Sequence, residues 1–292
     1  MKGRLPPWFN QKIADPNIML PMKGLLDGLS LNTVCENALC PNIGGCFSRG
    51  TATFLILGNV CTRHCTFCAV KKGSPPPLDE DEPQHLLEAV VKLNLKYVVI
   101  TSVTRDDLPD GGAAQFVRTI QLIHEKKKDT IIEVLIPDFL GSPEAIKVVL
   151  AARPEVINHN IETVPGLYPE VRPQADYKRS IRLLAMVKTL APEIITKSGL
   201  MLGLGETREE VIQVMRNLKE ARCDLLTIGQ YLPPSPCHHP IVKFVPPEEF
   251  AEYGAIGEEI GFAEVASAPL VRSSFKAAEL YTKVKGLAPQ TV

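Results

Sequence analysis

Three cysteines crowd into Gly58-Asn59-Val60-Cys61-Thr62-Arg63-His64-Cys65-Thr66-Phe67-Cys68, with the spacing C-x3-C-x2-C. Three thiolates this close can converge on one polynuclear centre. A structural zinc site takes four ligands, usually as two separated pairs. A 4Fe–4S cluster normally takes four cysteines, so three leave one iron open to an outside ligand. Two plainer readings stand beside this: a zinc site completed by His64, and an ordinary electron-transfer cluster. Upstream lies a second trio, Cys35-Glu36-Asn37-Ala38-Leu39-Cys40-Pro41-Asn42-Ile43-Gly44-Gly45-Cys46, spaced C-x4-C-x5-C. Gly44 and Gly45 permit tight turns there. It too lacks a fourth ligand. Six of the eight cysteines thus fall between positions 35 and 68, and with no secretory leader such clustering points to metal binding rather than disulfides. Cys223 reads as an inert core thiol and Cys237, despite His238 and His239 beside it, as an incidental loop thiol.

The downstream trio, with an aromatic residue (Phe67) before its last cysteine, resembles the radical S-adenosylmethionine enzymes. In that superfamily the open iron chelates S-adenosylmethionine, and an electron from the cluster releases a 5′-deoxyadenosyl radical. The two trios together resemble the lipoyl synthase family, and the likeness runs through nearly the whole chain. Arg4-Leu5-Pro6-Pro7-Trp8, Thr104-Arg105-Asp106-Asp107-Leu108-Pro109-Asp110-Gly111-Gly112, His159-Asn160-Ile161-Glu162-Thr163-Val164, Tyr168-Pro169-Glu170-Val171-Arg172-Pro173, Lys197–Glu206 and Gln230–Ser235 all look like segments of it. The resemblance implies two 4Fe–4S clusters and S-adenosylmethionine. Cys61, Cys65 and Cys68 would hold the first cluster, and Cys35, Cys40 and Cys46 the second. The second cluster's fourth ligand would be Ser274, from Arg272-Ser273-Ser274-Phe275, where the family pattern has tyrosine in place of Phe275. A serine oxygen is a harder ligand than thiolate, which suits a cluster that is consumed as sulfur donor. A helix beginning near 275 offers Ser274 a plainer role as N-cap.

The implied activity is a radical sulfurtransferase, inserting two sulfur atoms at C6 and C8 of a protein-bound octanoyl-lysine. Its partners would be an octanoylated carrier, either a lipoyl domain of a 2-oxoacid dehydrogenase or the glycine cleavage H protein, and a low-potential electron donor. Two rivals are another sulfur-inserting radical enzyme, similar to biotin synthase, and a non-enzymatic iron–sulfur electron-transfer protein.

Positioning these groups falls to a scaffold that the pattern after residue 51 outlines. Apolar, β-branched runs lie at Thr53–Gly58, Tyr97–Ser102, Ile131–Ile136, Val156–Asn160, Thr196–Leu202 and Asp224–Gly229. They are nearly continuous, as parallel strands covered on both faces should be. Helical stretches near 83–94, 112–127, 142–151, 176–190 and 207–221 separate them. Six βα units with right-handed crossovers predict an α/β fold: a partial (β/α)6 TIM-type barrel over 51–266, with a seventh run at Phe262–Ala266. Residues 1–50, rich in proline and glycine, read as an irregular extension carrying the upstream trio, and 267–292 as a C-terminal extension.

Function in such barrels gathers at the C-terminal ends of the strands. The strand assignments place Thr101, Ser102, Asn158, Asn160, Glu162, Lys197 and Gln230 on that rim, though each could be a cap or turn former. By the family likeness Phe67, Ser102, Asn160, Glu162 and Lys197 are candidates for the adenosylmethionine pocket, with Arg208 and Arg272 as further contacts. Lys and Arg number 32 against 33 Asp and Glu, a net charge of −1, which gives no pull toward nucleic acid or an anionic membrane. Lys126-Lys127-Lys128 reads as a solvated helix end. The start of the chain lacks the apolar stretch of a signal peptide and no run is long enough to span a bilayer, so the reading is cytoplasmic.

Overall fold

A computed structural model of the chain describes residues 5–10, 16–47 and 51–287; Arg4 lies outside them. One sheet organises the molecule. Its strands are β1 (Asn32–Thr33), β2 (Thr53–Ile56), β3 (Tyr97–Ser102), β4 (Ile131–Leu135), β5 (Val156–Asn158), β6 (Ile195–Leu202), β7 (Leu225–Gln230) and β8 (Glu264–Ser267). They neighbour one another in chain order. All the pairings are parallel except that of β1 with β2. No ladder joins β8 back to β1 among the described residues, so the barrel is partial. The run at 262–266 supplies β8, a seventh parallel strand.

Alternation along each strand sorts the side chains. Val98 and Ile100 on β3 face outward and are almost wholly buried under the helices, with Phe116, Ile120 and Leu86. Burying each such side chain contributes roughly 1.5–3 kcal/mol. Tyr97, Val99 and Thr101, on the other face, line the interior. The helices Glu82–Lys92, Ala113–Lys126, Pro143–Ala151, Tyr177–Leu190, Arg208–Glu220 and Pro247–Ile260 cross between consecutive strands. Their starts are set by local chemistry: Thr207 and Glu210 form a reciprocal capping box, and Ser142 and Asp176 cap the N-termini after them in sequence.

The N-terminal region departs from the irregular reading. Pro16–Gly28 is a helix with Pro21 inside it. Met22 and Leu26 lie one turn apart on its buried face, and Leu29, just past its end, is buried with them. Four prolines and glycines (Pro16, Pro21, Gly24 and Gly28) hide this spacing in the sequence, because each ordinarily breaks a helix. Packing of the apolar stripe overrides them. Helix Ala277–Val284 stands beside the open edge, where Lys283 meets Glu264 of β8 at 3.3 Å. Its Leu280 and Tyr281 join Val156, Ile195 and Leu225, the first residues of β5, β6 and β7, and so cover the N-terminal end of the barrel beneath those three strands.

Candidate active site

The downstream trio leaves β2 through a turn fixed by a carboxylate. Glu82 accepts from Leu57 N at 2.8 Å and from Gly58 N at 3.2 Å. Cys61 pairs through a two-residue ribbon with Lys71–Lys72, and its Sγ accepts from the backbone N of Arg63 and of Thr104, both at 3.4 Å. Arg63, between the first two cysteines, is buried. Its Nε and Nη2 grip both oxygens of Asp106 at 2.7 and 2.9 Å, and Nη2 reaches Asp138 at 2.5 Å. Arg179 holds the other Asp138 oxygen at 3.1 Å. Burial alone would push the Asp138 carboxyl up, but Arg63, with His159 and Arg179, outweighs it and holds the group at about 2. The loop is held from outside as well: Thr66 N donates to Val171 O, and His239 N to Thr66 O, both at 3.0 Å.

The upstream trio spans two single-turn helices, Val34–Asn37 with Cys35 and Ile43–Phe47 with Cys46, and Cys40 lies in the turn between them. Thr33 caps the first, accepting from Glu36 N at 3.2 Å. Cys40 N donates to Cys35 O at 3.0 Å, and Leu39 turns the corner with a φ of 51°. Asn42 Nδ2 donates to Leu270 O at 2.7 Å, fastening this loop to the segment that carries Ser274. That segment crosses the end of β7 closely: a Cβ on Gly229 would lie 2.0 Å from Val271 O, so only glycine fits. Helix Ala277–Val284 has Lys276 at its N-cap position, so Ser274 is not the cap.

All six clustered cysteines, Ser274 and Arg272 line one cavity of about 1190 Å³. Phe67, Ser102, Asn160 and Glu162 line it too. Glu162 is fixed by a parallel bridge to Leu200 with φ 67°. Its carboxyl is raised by burial, against the lowering pull of Arg172, Asn160 and Arg272. A Cβ on Gly199 would lie 2.7 Å from Asn160 Oδ1, so a glycine there makes room for the amide.

Two candidates stand apart. Lys197 is not on the rim: it lies inside the barrel, wholly buried, with its Nζ 3.0 and 3.2 Å from the Glu133 oxygens. Asn158 accompanies it, donating to Glu133 at 3.1 Å. The reason is register: Lys197 lies two residues below Gly199 on β6, and Asn158 of β5 is paired with Lys197. Arg208 is in the first turn of its helix on the surface, paired with Glu252 at 2.6 Å, and does not line the cavity. Gln230 lines it but is spent on structure, donating to the backbone O of Leu202, Tyr231 and Lys243. Cys223 is buried and Cys237 exposed.

Sequence reasoning passed over Arg63 and Arg172 as individuals. Arg172 Nη1 donates to Asn160 O and Ile161 O, each at 3.0 Å, while its Nε is buried without a partner. Arg63 had one available signal, its place between two candidate ligands.

The donor set fits iron–sulfur chemistry. Burial pushes the Cys35 and Cys68 thiols up to about 12 and raises Cys65; such thiols ionise only when a cationic centre takes them as ligands. Among the described residues no three His, Cys, Asp or Glu side chains converge on a point for a single metal ion, whereas in a cluster each thiolate takes its own iron. The wall opposite is suited to a polar ligand: Ser102 Oγ and Asn160 Oδ1 are buried without partners, like Arg172 Nε.

A family model described as the radical SAM superfamily matches residues 55–218. The lipoyl synthase of Caldanaerobacter subterraneus subsp. tengcongensis is 55% identical over 277 residues, 95% of this chain and 97% of that one. The chain belongs to the lipoyl synthase family. The lipoyl synthase of Aquifex aeolicus, 55% identical over 258 residues, covers 88% of this chain and 94% of its own. Among solved structures, methylornithine synthase superposes with a TM-score of 0.55 at 13% identity, over 94% of each chain. Streptococcus suis SuiB, bound to its precursor peptide, gives 0.58 at 13%, over 77% of this chain and 50% of its own. At that identity the likeness establishes the fold, an α/β partial barrel of parallel strands. This lipoyl synthase family member is therefore a radical SAM enzyme, and no helix among its described residues is long and apolar enough to cross a membrane.

Proposed function

We propose that the enzyme inserts sulfur at C6 and C8 of an octanoyl chain amide-linked to a lysine of a carrier protein, giving the lipoyl group. The observation that carries this is the meeting of two separate cysteine trios and the Ser274 loop on one cavity. Cys61, Cys65 and Cys68 would hold one 4Fe–4S cluster, the one that binds S-adenosylmethionine, and Cys35, Cys40, Cys46 and Ser274 would hold the other. When bound, the two clusters supply the electron that opens the sulfonium and the sulfur that enters the chain.

The protein's own part is to bind, orient and exclude water. Ser102 and Asn160 offer free polar atoms to the adenosylmethionine, with Phe67 as an apolar wall. Glu162 suits its ribose diol. The guanidinium groups of Arg172 and Arg272 flank Glu162 and offset the negative charge of bound thiolates. Near neutral pH His159 stays uncharged, its imidazole lowered to about 4 by burial: its Nδ1–H donates to Ile136 O at 2.8 Å, and its Nε2 accepts from Ser180 at 2.9 Å. The carrier is the lipoyl domain of a 2-oxoacid dehydrogenase or the glycine cleavage H protein, the electron comes from a low-potential donor, and the setting is the cytoplasm. Residues 1–50 and 267–292 act as extensions that bring the second cluster's ligands to the barrel.

Anaerobic reconstitution with iron and sulfide, followed by an octanoyl-lysine peptide, S-adenosylmethionine and dithionite, tests this. The expected result is a dithiolane product with one 5′-deoxyadenosine for each sulfur inserted. Adenosylmethionine cleavage without sulfur in the peptide would overturn the assignment of the second cluster, and absence of both products the whole reading.

A further inference from the structure

The cavity has two zones of opposite character. Near the cysteines its wall holds polar atoms without partners: Ser102 Oγ, Asn160 Oδ1 and Arg172 Nε. It then continues toward the N-terminal ends of the strands, between β2, β3 and helix Ala277–Val284, past Leu55, Val99 and Ala278 to Leu95, where Lys96 and Lys283 also line its far end. Three hydroxyls along this lower channel are turned into the structure. Thr101 donates to Leu135 O at 3.0 Å, Thr282 to Ala278 O at 2.8 Å, and Tyr97 to Glu133 at 2.6 Å. What these residues present to the channel is carbon. Tyr97, Val99 and Thr101 share one face of β3, and at about 3.3 Å per residue the stretch from Thr101 to Tyr97 is about 13 Å deep.

We propose that this lower channel takes the methyl end of the acyl chain, so that the enzyme counts its sulfur positions from the amide end. The inference rests on the function proposed above. Two carbons, two bonds apart, must in turn occupy the same place beside the polar zone. While C6 is there, C7 and C8 need room below; when C8 is there, that room is vacated. A wall of carbon with its hydroxyls already satisfied lets methylenes slide without breaking a specific contact. The channel runs deeper than two methylenes require, so the methyl end meets no stop at eight carbons.

The test uses the anaerobically reconstituted enzyme with peptides bearing octanoyl-lysine or decanoyl-lysine. Affinity is read by fluorescence anisotropy and sulfur position by mass spectrometry. The decanoyl peptide is expected to bind at least as tightly, since each buried methylene tightens binding by up to about fourfold, and to gain sulfur at C6 and C8. Ala278→Phe, on the half-buried side of its helix, and Val99→Trp are each expected to weaken octanoyl binding about tenfold or more while leaving adenosylmethionine affinity unchanged. Decanoyl binding tenfold weaker than octanoyl, or sulfur at C8 and C10, overturns the channel. So does unaltered octanoyl binding in a folded Ala278→Phe enzyme. A wild-type enzyme that inserts no sulfur into the octanoyl peptide overturns the function first and removes the channel's occupant with it.

Discussion

Lys197 and Glu133 form an ion pair inside the barrel, 3.0 Å apart at the nearer oxygen, with both side chains wholly out of water. Glu133 also accepts from Tyr97 at 2.6 Å and Asn158 at 3.1 Å, so the carboxylate is satisfied on all sides. Removing one partner of such a pair leaves an uncompensated buried charge and costs about 3–5 kcal/mol. Lys197→Met is expected to lose that much in chemical denaturation, and Lys197→Met with Glu133→Gln to recover most of it. Loss of adenosylmethionine binding at unchanged stability would instead make Lys197 a ligand contact.

Arg63 joins the cluster loop to the barrel through Asp106 and Asp138. Arg63→Gln keeps some hydrogen bonding but strips Asp138 of its main cation. A stability loss of about 3 kcal/mol is expected, with reduced iron content because the loop between Cys61 and Cys65 loses its anchor. Iron and sulfide analysis after reconstitution, beside thermal unfolding, measures both.

The two trios should load independently. Cys35→Ala is expected to lower the iron content from about eight to about four per chain, at four irons per cluster, and to retain adenosylmethionine cleavage. Ser274→Ala should also retain cleavage while sulfur insertion falls by about a hundredfold or more. Equal loss of cleavage and insertion in both variants would refute two separate roles.

His159 makes stability depend on pH. Burial, then the charge of Arg172, lowers the imidazole from 6.5 to about 4. Between those values the unfolded chain binds a proton that the folded one refuses, so stability rises with pH across that window. The contribution is complete above pH 6.5 and gone below pH 4, a change of about 3 kcal/mol. Asp138, held at about 2 from an ordinary 3.8, adds a second loss as pH falls through that lower range. Denaturation at pH 7.5 and 4.5 should show the first decline, and His159→Asn should flatten it.

Much of this was open to reading along the chain. The βα alternation is visible because parallel strands buried on both faces need continuous apolar runs, and β3 falls at Tyr97–Ser102 in both sequence pattern and structure. The cysteine spacings are visible because neighbouring ligands are close in sequence by construction. The helix Pro16–Gly28 was hidden, since its stability comes from Met22 and Leu26 meeting the core rather than from its own residues.

The sequence by itself determined the chemistry on offer: which thiols stand together, and that each trio lacks a fourth ligand. Only the tertiary structure decided which polar groups share a cavity with them. Lys197 and Gly199 are two residues apart on β6, yet one is sealed against Glu133 and the other lines the cavity. Depth along a barrel strand depends on where the sheet's register places its neighbours, and that register is set by contacts between segments far apart in the chain.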